Sequence, residues 1–176
     1  DCINITTEEN KDSVLDRLGT SHELCRQYAI RKNYDYIFHL ETDVFPPVDV
    51  IERLMSEKKP VIAGVYQLSH NAARVPMLNR ISSDTEEYRH CIYGGYNNFM
   101  IDGKVKKTLS AGLGCILIAR PVFKVFPFRN IKDACWYPDV VWINDLYAKK
   151  VPVYVHTGIL CEHKNRDWGE YGKDYK

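Results

Sequence analysis

The clearest structural pattern in this chain is YDYIFHLETDVFPPVDVIERLMSEKKPVIAGVY, residues 34–66. Tyr34–Leu40 carries aromatic and aliphatic side chains on both faces, which is typical of a buried central strand. Pro46-Pro47 then stop the strand and start a helix that runs to about Glu57, and a second buried strand follows at Pro60–Tyr66. This strand–helix–strand order predicts an α/β layer with parallel pairing.

The segments on either side continue the alternation of strands and helices. Thr20-Ser21-His22-Glu23 has the pattern of a capping box and predicts a helix that begins there and ends at about Lys32. The middle of the chain, Gln67–Thr108, is polar and rich in Tyr and Asn, which predicts loops and short hairpin strands. The remaining predicted elements are strands at Cys2–Ile5, Gly112–Ile118, Val151–Val155 and Ile159–His163, and helices from Pro121 and over Pro138–Lys149.

Composition and charge narrow the class of protein. A length of 176 residues predicts a single domain, 1–176, with a charged and mobile C-terminal tail at 164–176. Lys+Arg minus Asp+Glu is 24 − 23 = +1, which argues against a protein that holds nucleic acid or a membrane surface by bulk charge. No apolar run is long enough for a membrane span. The six cysteines form no Cys-x-x-Cys pair, which excludes a zinc ribbon, and we expect a reduced, cytoplasmic setting.

The positions directly after the first strand carry the first candidate site. Glu41 and Asp43 flank Thr42, and in an extended chain their side chains project to the same side. Open α/β sheets bind ligands in the crevice beyond the carboxyl ends of their strands. Two hard carboxylates there suit Mg²⁺ or Mn²⁺, which can in turn hold a diphosphate. The alternative is that these acidic residues solvate a turn.

Further candidates rest on weaker patterns. His163 follows a predicted strand and is either an imidazole metal ligand or a surface histidine. Asp139 lies in the first turn of a helix, where a carboxylate either caps the helix or acts as a general base. Gly112 and Gly114 precede a strand, where glycine allows either close approach of a ligand or an unusual turn.

Taken in order, these segments resemble the GT-A glycosyltransferases, in the manner of family 2 enzymes. The resemblance rests on residues 34–66, on LSAGLGCILIARPVF (109–123) and on PDVVWINDLYAKKVPVYVHTGILCEH (138–163). It implies a GT-A-like, Rossmann-like fold with a mixed, mostly parallel sheet flanked by helices, N-terminally incomplete because the family's first strand or strands are lacking. Two positions depart from the family: Glu41 stands where the first acid is usually Asp, and Pro138 stands where Glu usually precedes the base.

The resemblance implies the metal-dependent transfer of a sugar from a nucleoside-diphosphate sugar, foremost a UDP-sugar, to the hydroxyl of a saccharide or other acceptor. The implied cofactor is Mn²⁺ or Mg²⁺, which neutralises the leaving diphosphate while Asp139 deprotonates the acceptor. The alternative is a catalytically inactive GT-A-like domain that binds sugar or a protein through the Tyr- and Asn-rich middle. The implied contacts are with the metal (Asp43, His163 and Glu41), with the donor (Glu41, Thr42, Asp43, Gly112, Gly114, Lys164 and Arg166) and with the acceptor (Trp136 and Tyr137).

Overall fold

The computed structural model describes residues 14–70, 73–79, 101–131 and 137–164. The predicted strand at Cys2–Ile5 and the tail beyond Lys164 lie outside the described residues, as do Trp136 and Arg166. The helices are α1 (Val14–Arg31), α2 (Val50–Ser56), α3 (Arg120–Val125) and α4 (Pro138–Ala148). The strands are β1 (Tyr36–Leu40), β2 (Val44–Phe45), β3 (Val61–Val65), β4 (Gln67–His70), β5 (Ala73–Pro76), β6 (Leu78–Asn79), β7 (Val105–Thr108), β8 (Ser110–Ala111), β9 (Cys115–Ala119), β10 (Val153–Leu160) and β11 (Glu162–His163).

The chain divides into two compact units. One unit comprises residues 1–37 and 118–151, and it contains α1, α3 and α4. The other comprises residues 38–117 and 152–176, and it contains α2 and nearly all of the strands. The boundary passes through β1 and β9, whose remaining residues belong to the second unit. Within the described ranges, no helix is both long and apolar enough to cross a membrane.

A five-stranded sheet with the order β1-β9-β3-β10-β7 organises the second unit. All residues of β3 are buried, as predicted for the strand at Pro60–Tyr66. β3 pairs with β10 in parallel, with Ile62 opposite Tyr154, whereas β7 pairs with β10 in antiparallel fashion. The combination of this sheet with helices confirms the general α/β class.

The expectation of a mostly parallel sheet is wrong for the strand pairs whose register is described. Among these pairs β3–β10 is parallel, whereas β7–β10, β2–β11, β4–β5 and β6–β8 are antiparallel. Strands that follow each other closely in the chain, such as β4 and β5, pair in antiparallel fashion because parallel neighbours need a long crossover. The antiparallel pairs β7–β10 and β2–β11 join strands that are distant in the chain, so sequence order alone does not predict their direction.

The strand that precedes the candidate acids is not central. β1 is shorter than the predicted Tyr34–Leu40 and lies at the edge of the five-stranded sheet. Its side chains are half-buried, and Leu40 is exposed. Aromatic and β-branched side chains fit a half-covered strand as well as a buried one, so the composition did not separate the two cases.

The predicted capping box is wrong because α1 spans Val14–Arg31 and Thr20 lies inside the helix. The Glu23 carboxylate instead accepts two hydrogen bonds from the Arg26 guanidinium, both of 2.7 Å, and one from the Phe128 backbone N–H. Because the Glu23 carboxylate forms these hydrogen bonds inside the helix, it does not cap a helix N-terminus, although the local sequence has the capping-box pattern.

The other predicted elements are present with shifted ends. The helix expected after Pro46-Pro47 begins at Val50, and the helix expected from Pro121 is α3, which has that proline in its first turn. The strands predicted at Val151–Val155 and Ile159–His163 form one long strand, β10, followed by the short β11. The polar middle, Gln67–Thr108, contains the short strands β4 to β7, as predicted, and β8 follows it.

Candidate functional site

Two short strands that are far apart in the chain bring Asp43 and His163 side by side. β2 pairs with β11 in antiparallel fashion, with Val44 opposite His163, and the Lys164 backbone N–H donates to the Asp43 carbonyl. His163 Nε2 lies 3.3 Å from Asp43 Oδ2 as a result. The structure therefore joins two of the residues that the sequence singled out on separate motifs.

The contacts of His163 determine which of its ring nitrogens carries the proton and which carries a lone pair. The imidazole is 5% exposed, whereas the Asp43 side chain is 42% exposed. His163 Nδ1 lies 2.9 Å from the Gln67 carbonyl oxygen. Because a carbonyl oxygen can only accept, Nδ1 carries the proton of this hydrogen bond. In the neutral ring the lone pair is therefore on Nε2, the atom next to the Asp43 carboxylate.

A nitrogen lone pair and a carboxylate oxygen repel each other unless a proton or a cation lies between them. The Asp43–His163 pair is thus suited either to an imidazolium–carboxylate ion pair or to a shared cation. A hydrogen bond from the far nitrogen to a backbone carbonyl is also the usual support of a metal-binding histidine. The arrangement offers one oxygen and one nitrogen ligand to a divalent cation.

Within the described ranges, no three His, Cys, Asp or Glu side chains are arranged so that they could hold one metal ion. The participation of Glu41 in a metal site stays a prediction. A pair of protein ligands nevertheless fits Mg²⁺ or Mn²⁺, because such ions are commonly held by one or two side chains together with water and substrate phosphates.

The turn that carries Glu41 and Thr42 is tied to the segment that contains the predicted glycines. The Glu41 N–H donates to the Gly114 carbonyl over 3.1 Å, and His39 Nδ1 donates to the Leu113 carbonyl over 2.6 Å. Burial lowers the pKa of His39, although its bond to Leu113 acts in the opposite direction. The side chains of Glu41 and Thr42 are exposed at the end of β1.

Lys164 places a positive charge on the β2–β11 strand pair. Its Nζ lies 4.5 Å from the centroid of the Phe45 ring and 3.8 Å from the Glu162 carboxylate. The side chain is exposed, so it remains accessible to an anionic ligand. Its predicted role against donor phosphates stays a prediction.

The predicted glycines lie against Tyr66. A methyl group at Gly112 would overlap the Tyr66 hydroxyl, and one at Gly114 would lie 2.6 Å from Tyr66 Cζ. The Gly114 N–H donates to the hydroxyl over 3.2 Å. In the described chain these glycines make room for a tyrosine side chain, and their contact with a donor stays a prediction.

Asp139 lies in the first turn of α4, in the other compact unit. Its Oδ1 accepts a hydrogen bond of 2.8 Å from the Val140 N–H. Burial raises the pKa of the Asp139 carboxyl, although its bonds to backbone N–H groups act in the opposite direction. Tyr137 precedes the helix and is exposed. Because Asp139 belongs to a different unit from Asp43 and His163, their meeting at one site stays a prediction.

No candidate site predicted from the sequence included Tyr66 or Gln67. The Tyr66 ring packs edge-on against the His163 ring, with 5.2 Å between ring centroids and 75° between planes. The sequence signal for Tyr66 was its place at the end of a buried strand that closes with Gly-x-Tyr. Gln67 acts through its backbone carbonyl, which no side-chain pattern reveals.

No protein-family model matches the chain, and no curated protein matches it. Among solved structures, the crystal structure of A197 from STIV is similar, with a TM-score of 0.56 and 18% sequence identity. The similarity covers 89% of this chain and 70% of that chain. At this identity the likeness concerns the fold alone, so function has to be argued from the site.

Proposed function

We propose that this protein is a metal-dependent glycosyltransferase of the GT-A fold. It moves a sugar from a nucleoside-diphosphate sugar, foremost a UDP-sugar, to the hydroxyl of a saccharide or other acceptor. The observation that supports the proposal best is the convergence of Asp43 Oδ2 and His163 Nε2 at 3.3 Å on the paired strands β2 and β11. Each residue matches a different motif of the family that the sequence resembles.

Asp43 and His163 are the proposed ligands of Mn²⁺ or Mg²⁺, with Glu41 as a further ligand. When bound, the metal neutralises the negative charge that develops on the leaving diphosphate. Asp43 and His163 leave coordination positions for phosphate oxygens and water. The exposed Lys164 ammonium, next in the chain to His163, adds positive charge for the donor phosphates.

Asp139 is the proposed base that removes the proton of the acceptor hydroxyl. Burial raises the pKa of its carboxyl, which increases its affinity for that proton. Its place in the first turn of α4 favours the ionised form that a base requires. Tyr137 beside it, and Trp136 in the sequence, offer aromatic surfaces to an acceptor sugar.

The test measures Mn²⁺ binding and nucleotide-sugar turnover in one preparation of the full chain. We expect Asp43→Asn and His163→Ala to weaken Mn²⁺ binding by about tenfold or more and to abolish turnover. Asp49→Asn and His156→Ala are the matched controls, because these residues lie in the same unit and contact Arg53 and Glu57 instead. A chain that neither binds Mn²⁺ nor turns over any nucleotide sugar contradicts the proposal, and sugar binding without turnover favours the inactive domain.

A further inference from the structure

Tyr66 connects the candidate metal ligand His163 with the glycine segment before β9. Its ring packs edge-on against the imidazole, with 5.2 Å between centroids, and both side chains are buried. The Gln67 carbonyl holds the other side of the imidazole through Nδ1. Two consecutive residues thus restrict the rotation of the His163 ring, and this restriction leaves Nε2 next to Asp43.

Hydrogen bonds also hold the hydroxyl and the backbone carbonyl of Tyr66. Its hydroxyl accepts the Gly114 N–H, and its backbone carbonyl accepts the Met77 N–H over 2.9 Å. A Cβ at Gly112 would overlap the hydroxyl, and a Cβ at Gly114 would approach the ring to 2.6 Å. Any larger side chain at either glycine must therefore displace the Tyr66 ring, and a displaced ring changes the contact with His163.

We infer that Tyr66 is a positioning residue that holds the His163 imidazole in the orientation needed to bind a cation. Gly112 and Gly114 leave the space that the Tyr66 side chain occupies. The inference deepens the proposed function, on which the metal role of His163 rests. It assigns to the glycines a role different from the donor contact that the sequence suggests.

The first test replaces the tyrosine. Tyr66→Leu removes the ring, and we expect His163 to lose its single Nδ1-protonated tautomer and Mn²⁺ affinity to fall about tenfold or more. Tyr66→Phe keeps the ring and removes only the hydroxyl bond, so its effects should be smaller. Tyr154→Leu is the matched control, because Tyr154 lies in the same unit and contacts Lys59 instead. The tautomer is measured by long-range ¹H–¹⁵N correlation on the metal-free chain with the imidazole in its neutral form, and affinity by the loss of the free Mn²⁺ signal in electron paramagnetic resonance.

The second test changes Gly112, one of the two glycines that make room for Tyr66, and does not require that Tyr66→Leu folds. Gly112→Ala should disturb the tautomer and weaken Mn²⁺ binding. Adding Tyr66→Phe removes the hydroxyl that the new methyl group overlaps, so the double variant should recover part of both properties. If Gly112 has only a local structural role, Gly112→Ala should lower stability and leave the tautomer and the Mn²⁺ affinity unchanged.

The two readouts separate this inference from the proposed function. If the wild-type chain binds no Mn²⁺ but Tyr66→Leu or Gly112→Ala still disturbs the tautomer, the metal proposal fails and the positioning role stands. If the wild-type chain binds Mn²⁺ and these variants change neither the tautomer nor the affinity, the positioning role is overturned.

Discussion

At the scale of single residues, backbone atoms decide what the side chains can do. His163 and His39 both donate Nδ1 to a backbone carbonyl, of Gln67 and Leu113 respectively. His163 thereby faces a carboxylate with Nε2, whereas burial lowers the pKa of His39 and so favours its neutral form. Two histidines that share an Nδ1–carbonyl hydrogen bond thus differ in chemistry because of what surrounds them.

Glu23 is a residue whose charge stabilises the helical unit. Burial acts to raise the pKa of its carboxyl, but hydrogen bonds from Arg26, Gln27 and the Phe128 N–H outweigh burial and lower it below its ordinary value of 4.5. A lowered pKa in the folded state means that stabilisation is fully present above the unfolded pKa. It is lost as the pH falls from there through the folded value.

We therefore expect Glu23→Gln to cost about 1–2 kcal/mol of unfolding free energy at pH 7, because a charged acceptor is replaced by a neutral one. Below pH 4.5 the difference from the wild type should shrink. Urea unfolding at pH 7 and at lower pH measures both. Glu52→Gln, at an exposed carboxylate of α2, is the control and should change little. An equal cost at both pH values would show that the Glu23 charge contributes nothing.

At the scale of elements, the position of a strand in the sheet matters more than its composition. β1 and β3 are both apolar segments of five residues, but β1 is half-buried at the sheet edge and β3 is buried throughout. β3 lies in the interior of the sheet, between β9 and β10. The acidic turn after β1 is therefore accessible, which a ligand site requires.

The same substitution in both strands tests this difference. Ile62→Ala in β3 should cost about 2–5 kcal/mol, because Ile62 is 0% exposed and the neighbouring core cannot fill the cavity. Ile37→Ala in β1 should cost clearly less, because its side chain is only half-buried. Urea unfolding of the two variants provides the comparison. Equal costs would mean that β1 is as central as its sequence suggests.

At the scale of the whole molecule, the proposed chemistry draws on both compact units. Asp43 and His163 belong to the sheet unit, and Asp139 belongs to the helical unit. In the proposed function Asp43 and His163 bind the cation, and Asp139 removes the proton of the acceptor hydroxyl. Cation binding and proton transfer should consequently be separable by mutation.

We expect Asp139→Asn to reduce transfer by about 10²–10⁴-fold while Mn²⁺ affinity stays at the wild-type value. The base must be ionised, so the wild-type rate should fall as the pH drops through the raised pKa of Asp139, and this acid limb should be absent in the variant. Turnover against pH, measured beside Mn²⁺ titration, tests both points. Asp145→Asn on the same helix, at a residue paired with Arg129, is the control. Wild-type turnover in Asp139→Asn would remove it from the proposed mechanism.

Much of the fold could be predicted because it follows from local chemistry. The buried strand at Pro60–Tyr66, the helix that starts at Pro138 and a hairpin of the polar middle, β4–β5, are all present. Side-chain hydrophobicity and proline geometry act within a few residues, so a linear sequence displays them. The capping box at Thr20 failed because the helix begins earlier, at Val14, and Glu23 bonds to Arg26 and to the distant Phe128 N–H instead.

The candidate site was only partly predictable. Asp43 and His163 were singled out by motif, but their distance depends on the pairing of β2 with β11. Tyr66 and the Gln67 carbonyl were not found, because packing and backbone hydrogen bonds in this region join residues from separate strands. The role of the glycines depends on which side chain fills the space that they leave.

The α/β class, most of the elements and the residue types that could bind a cation follow from the amino-acid sequence, because each depends on interactions between near neighbours. Tertiary structure alone decided which strand is central, which nitrogen of His163 faces Asp43, and which side chain occupies the space above Gly112 and Gly114. Those outcomes depend on strand pairing and side-chain packing between distant residues. The geometry of such contacts is settled only when the chain is folded.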